Sequence, residues 1–242
     1  MDQKVIGEFN RVINSDKYFI FHYSCSDISK FPISIGSISL FNANAPGERK
    51  FSRTEFTERE VILNFLNYIK EKVEGGFSII GWNINKEIYG LQPIMRRFKE
   101  ITGKDHPSVE SKKQVFDLDE IIKSLFPNFK GGLHNILLFN SINLDMFLFG
   151  EQEINFLKEN DFQNLDNSTM KKVRSIGKLI QLYKSKKLLI QPRSFWQKVR
   201  IIFQLKTRKI REFLKKYTIE ILISIIAAVI VQIAYWLITG TI

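Results

Sequence analysis

Apolar residues along most of this chain recur at two-, three- or four-residue intervals, but over residues 221–238 (ILISIIAAVIVQIAYWLI) that spacing disappears. The patterned part opens with a short amphipathic stretch at 4–12, read as a helix. An aromatic segment at 17–23 (KYFIFHY) follows, read as a central strand. After Phe31-Pro32, residues 33–41 (ISIGSISLF) alternate apolar and small side chains, the period of a strand. The segment 42–47 (NANAPG) is turn chemistry, and 49–53 pairs back as a third strand. Thr57 with Glu60 three residues on forms a capping box for a helix buried along Val61, Phe65, Leu66, Ile69 and Val73. Gly75-Gly76 ends that helix, and 77–81 (FSIIG) is a short apolar strand suited to the middle of a sheet. Helices are expected over 88–101, ended by Gly103, and over 116–125, with Glu87 favouring the dipole at the first helix's start. Residues 128–190 read as mainly helical, with loops at Lys130-Gly131-Gly132 and near 164–168. Three strands, helix, strand, then helices predicts an α/β domain with a mixed sheet.

The run at 221–238 is eighteen residues without a formal charge, broken only by Ser224 and Gln232. As a helix it spans about 27 Å, close to the ~30 Å of a bilayer core. A buried core helix would carry a wetter face, and Tyr235 and Trp236 suit a membrane–water interface. Charge adds an orientation. The chain carries 36 Lys and Arg against 25 Asp and Glu, net +11. Residues 1–183 hold 24 of those bases and 23 of the acids. The excess lies beyond them, in a tract with Trp196, Lys198, Arg200, Lys206, Arg208, Lys209, Arg211, Lys215 and Lys216. Basic residues beside a membrane helix stay on the cytoplasmic side, so residues 1–217 are expected there, against the anionic headgroups of the inner membrane. Trp196, Val199, Phe203, Ile210, Phe213, Leu214 and Tyr217 give the tract an amphipathic stripe. The same stripe could pack on the soluble domain or on a second copy of the chain. The expected organisation is a soluble domain at 1–190, a basic juxtamembrane stalk at 191–217, and a transmembrane helix with a short tail at 218–242.

Simple site motifs are few. The single cysteine, Cys25, allows no internal disulfide and suits a reducing compartment. His22, His106 and His134 lack metal-ligand spacing, and no Lys-Ser/Thr follows Gly131-Gly132. Asp117, Asp119 and Glu120 form a carboxylate cluster whose simplest role is to cap a helix and fill its first turn.

Four local patterns carry more: Phe21-His22-Tyr23-Ser24 on the first strand; Ser34-Ile35-Gly36 on the second; Gly81-Trp82-Asn83-Ile84-Asn85-Lys86-Glu87 after the fourth; and Val173-Arg174-Ser175-Ile176-Gly177-Lys178-Leu179 on a late helix. With the element order, these make residues 17–187 resemble the DEDD-type 3′–5′ exonucleases, a branch of the ribonuclease H-like folds. The resemblance implies the fold and a chemistry of four carboxylates holding two divalent metals about 4 Å apart. Here the aligned positions are His22, Ser24, Glu87 and Ser175, one acid of four. It therefore implies a retained fold without nuclease activity and without a metal cofactor. Trp82, Asn83 and Lys86 would lie at the cleft, where a ring, an amide and a cation could hold a base and a phosphate. The expected function is a membrane-tethered, inactive module binding a nucleotide, a nucleic-acid end or a protein partner. Its output would need self-association, the plan of bacterial defence effectors that join a sensor to a membrane helix. Two alternatives stand beside it: a membrane-bound exonuclease using magnesium or manganese with an acid set from Glu87, Asp117 and Asp119, and an adaptor recruiting a protein to the membrane.

Overall fold

The computed structural model describes residues 3–30, 32–42, 47–106 and 114–191, and its centre is β1 (Tyr18–Cys25), buried along its whole length. β2 (Ile35–Phe41) pairs with β1 antiparallel, and β3 (Glu48–Ser52) pairs with β2 antiparallel. β4 (Ser78–Gly81) lies parallel on the other side of β1, Tyr18 opposite Ser78 and Phe21 opposite Gly81. A two-residue-strand hairpin follows, β5 (Asn85–Lys86) with β6 (Tyr89–Gly90). β7 (Val115–Asp117) closes the sheet, parallel to β4. The five-stranded order is β3-β2-β1-β4-β7, so the chain is α/β with a mixed sheet. β1 and β4 are buried on both sides because helices cover both sheet faces.

Seven helices are described: α1 (Gln3–Asn14), α2 (Glu58–Glu74), α3 (Leu91–Thr102), α4 (Leu118–Leu125), α5 (Leu133–Phe139), α6 (Gly150–Lys158) and α7 (Phe162–Lys184). All belong to one compact unit, Met1–Gln191. On one sheet face Phe19, Phe21, Tyr23, Ile38 and Leu40 pack against Val61, Ile62, Phe65, Leu66 and Ile69 of α2 and Ile94 and Phe98 of α3. Each such side chain contributes roughly 1.5–3 kcal/mol by leaving water. The Thr57–Glu60 capping box is formed as the spacing predicts. Glu58, beside it, accepts from Nε and Nη2 of Arg97 on α3 and from the amide of Ile35, tying helix pair to sheet. On the other face Tyr18, Ile20, Ile80 and Phe116 pack against α1, α4, α5 and α7.

The structure departs from the periodicity in three places. Residues 115–117 are strand and not helix: β7 is too short to show a period, and its partner β4 supplies the reason to extend. Residues 85–90 form the hairpin, so the next helix begins at Leu91 and Glu87 sits in the hairpin turn, away from any helix start. Gly90 allows this, at φ +139° with its α-carbon so placed that a β-carbon would lie 1.9 Å from Ile84 O. Residues 164–168 are helical, inside α7, and not a loop. The expected stalk at 191–217, apart from Gln191, and the expected transmembrane helix at 218–242 lie outside the described residues. Among the described residues no helix is long and apolar enough to cross a membrane.

Candidate functional site

Strand alternation places His22 and Ser24 on the same side of β1 as Tyr18 and Ile20. Opposite them in register stand Ser39 and Ser37 of β2. The face under α7 is therefore apolar at one end and polar at the other. α7 matches it: Val173, Ile176 and Ile180 meet the apolar end, while Asp166, Ser168, Thr169 and Lys172 are buried polar residues of the same helix. Gly36 makes the approach close enough, since a β-carbon there would come within 2.7 Å of Leu165 Cδ1.

Hydrogen bonds run the length of this seam. Ser39 Oγ donates to Thr169 Oγ1 at 2.9 Å, and Ser37 Oγ lies 3.1 Å from the same atom. Ser52 Oγ and Thr54 Oγ1 donate to Asp166 Oδ2 at 2.7 and 3.0 Å, and Lys50 Nζ adds an ion pair at 3.0 Å. Lys172 Nζ pairs with Glu153 Oε1 of α6 at 2.6 Å and sits 5.2 Å from the Phe147 ring centroid. The Lys172 side chain is 5 % exposed and that of Glu153 12 %. Burial pushes the Glu153 carboxyl up, with the Lys172 charge opposing it.

His22 is the other pole of the seam. Burial, then the positive charge of Lys172, hold its pKa well below the usual value, so the ring is neutral near pH 7. Both ring nitrogens lie within 3.2 Å of Tyr89 Oη, which donates to Tyr23 O at 2.9 Å and so can accept from the imidazole. Tyr89 also stacks on Tyr23 at 4.5 Å, and Gly90 N donates to Tyr23 Oη. These contacts pin the β5–β6 hairpin to β1. Cys25, raised to about 12 by burial and then by the Glu153 charge, stays a thiol. Ser24 Oγ is buried with no hydrogen-bond partner among the described residues.

The remaining residues singled out in the sequence separate from this seam. Ser175 is buried on α7, three residues beyond Lys172. Glu87 and Lys86 are exposed on the hairpin, beside Ile88 at 57 % exposure. Trp82 is 6 % exposed and packs in the core, so its ring offers no open face for a base. Asn83 is half-buried in a left-handed turn at φ +58°. Asp117 holds that turn: its carboxylate accepts from the amides of Asn83, Asn85 and Asp119, capping α4. Burial raises its pKa and the amide hydrogen bonds oppose the rise. Asp119 is buried and paired with Lys123 at 2.6 Å, and Glu120 lies in the first turn of α4. The three acids of the cluster thus serve the turn and the helix.

A pair of divalent metals does not fit these residues. Magnesium needs hard oxygen donors with spare charge. In the seam, Glu153 is neutralised by Lys172 and Asp166 by Lys50. Among the described residues no three His, Cys, Asp or Glu side chains form a metal-holding group. Lys172, Glu153 and Tyr89 were not singled out by motif. One signal was present: Lys172 lies four residues after Ser168 and one before Val173, on the inward stripe, where a lysine requires a buried acid. No family model matches this sequence, and neither does any curated protein.

Proposed function

We propose that residues 1–190 are a ribonuclease H-like module of DEDD-exonuclease type that has lost metal chemistry and acts by binding a partner. The tail at 218–242 holds it at the cytosolic face of a membrane. The fold part of this reading is supported by the order β3-β2-β1-β4-β7 with β2 alone antiparallel to its neighbours. The observation that carries the loss of chemistry is Lys172. Its ammonium is close enough to His22 to lower that ring's pKa and already neutralises Glu153, a carboxylate that a metal would need. The hairpin whose Tyr89 meets His22 exposes Lys86, Glu87 and Ile88, both charged and apolar. That mixture, with Trp82 withdrawn from solvent, favours a protein partner or a second copy of the chain over a nucleotide.

The test is cleavage by the purified full chain on single- and double-stranded DNA and RNA with magnesium or manganese. No product is expected over a wide protein range. Stepwise loss of 3′ nucleotides, abolished by Glu87→Ala, overturns the reading in favour of an active exonuclease.

A further inference from the structure

We infer that the outward stripe of α7 docks on an anionic lipid surface, laying the soluble unit on the bilayer; this rests on the membrane reading proposed above. Lys171, Arg174, Lys178 and Gln181 recur at three- and four-residue steps on the helix side away from Val173, Ile176 and Ile180. From Lys171 to Gln181 the line is about 15 Å long. Arg174, Lys178, Gln181 and Lys184 are exposed, and exposed Lys186 and Lys187 follow the helix end. No acid occurs from residue 167 to residue 211.

A solvent-facing helix ordinarily mixes signs, as α2 does with Glu58, Arg59, Glu60, Lys70, Glu71, Lys72 and Glu74. In α7 the balance is missing. Arg174 pairs with Glu48 of β3, and Lys184 Nζ donates to Ile13 O. Lys171, Lys178, Lys186 and Lys187 make no ion pair among the described residues. The helix dipole favours cations in the last turn, which accounts for Lys184 but not for Lys171 or Lys178, well before it. A cationic stripe whose Lys171 and Lys178 are unmatched is complementary to a plane of anionic headgroups. In sequence it runs directly into the basic tract at 193–216 and the apolar run at 221–238. That continuity favours lipid over nucleic acid.

The full chain is reconstituted in nanodiscs of phosphatidylcholine alone or mixed with phosphatidylserine, then treated with a water-soluble acylating reagent and read lysine by lysine. On phosphatidylserine, Lys178, Lys186 and Lys187 should lose reactivity by at least about fivefold, the factor equal to ~1 kcal/mol for one lysine near an anionic leaflet. Lys30 and Lys99, whose side chains are 83 % and 61 % exposed, should be unchanged. Salt should restore the reactivity. A Lys171→Glu/Lys178→Glu chain should still enter the discs but lose the protection of Lys186 and Lys187. Incorporation with equal reactivity on both lipids overturns the docking and leaves the anchor standing. A chain that does not enter the discs sinks the membrane reading and the docking with it. Stronger protection by single-stranded RNA on neutral discs reassigns the stripe and overturns the lipid partner.

Discussion

The two faces of the sheet are held by different physics. Under α2 and α3 the contacts are ring on ring and branched aliphatic on ring, with Phe21 and Phe65 stacked at 5.2 Å. Under α7, half the interface is hydroxyls, an imidazole and two ion pairs. An apolar face needs only volume and period. A polar face needs every member's partner, and removing one member strands another.

The largest effects should come from one truncation on each face. Phe65→Ala leaves a cavity and is expected to cost about 3–5 kcal/mol. Lys172→Ala leaves Glu153 buried and unpaired, for a similar ~3–5 kcal/mol. The faces differ in rescue. Adding Glu153→Leu to Lys172→Met should recover most of the loss, because a well-packed apolar pair often replaces a buried ion pair without penalty. Urea unfolding of the four chains measures this. Equal losses with no rescue at the polar seam would show that Lys172 acts by packing alone.

The seam should also titrate, through His22. Its folded-state pKa lies below the ordinary 6.5, so below that pH the unfolded chain binds a proton that the folded one excludes. The contribution to stability is whole above pH 6.5 and falls as pH drops toward the folded-state pKa, by at most ~1.4 kcal/mol per unit. Glu153 works in the opposite sense. Its folded-state pKa is raised from 4.5, so its destabilising share shrinks as pH falls through that raised value. Comparing unfolding free energies of wild type and His22→Gln between pH 7 and pH 5 isolates the first effect; a difference that does not change with pH would remove it.

A smaller effect belongs to the apolar side. Thr57→Ala removes the cap of α2 and should cost about 1 kcal/mol, independent of pH across that range, because Glu60, whose carboxylate accepts from the Thr57 hydroxyl and is held below its ordinary pKa by Thr57, stays ionised throughout it. Thermal unfolding at two pH values checks both size and independence.

The contrast also explains which parts of the fold were legible in the residues. α2 was read to within a residue, cap included, because its buried stripe is apolar and its ends are punctuated. Residues 164–168 of α7 were not. The helix's inward stripe there is Asp166, Ser168, Thr169 and Lys172, so hydrophobic periodicity saw a polar loop. β7 and the β5–β6 hairpin were missed because two or three residues carry no period, and tertiary pairing alone extends them. At the site, His22 and Ser24 were legible from their place on β1. Lys172 and Glu153 were not, because their pairing spans nineteen residues and two helices.

The smallest effect separates two serines that face the same way. Ser39 on β2 donates to Thr169 Oγ1, whereas Ser24 on β1 is buried and has no hydrogen-bond partner among the described residues. Ser39→Ala should lose about 1 kcal/mol, the net worth of a neutral hydrogen bond. Ser24→Ala should lose nothing and gain up to ~1 kcal/mol, because the alanine removes a desolvated hydroxyl that no contact repays. The opposite signs follow from bonding alone, since both hydroxyls are equally withdrawn from water. If Ser24→Ala instead destabilises the protein as much as Ser39→Ala, then Ser24 Oγ has a partner in solution. Among the described side chains of the seam, only Asp166 Oδ1 would then stay buried without a hydrogen-bond partner.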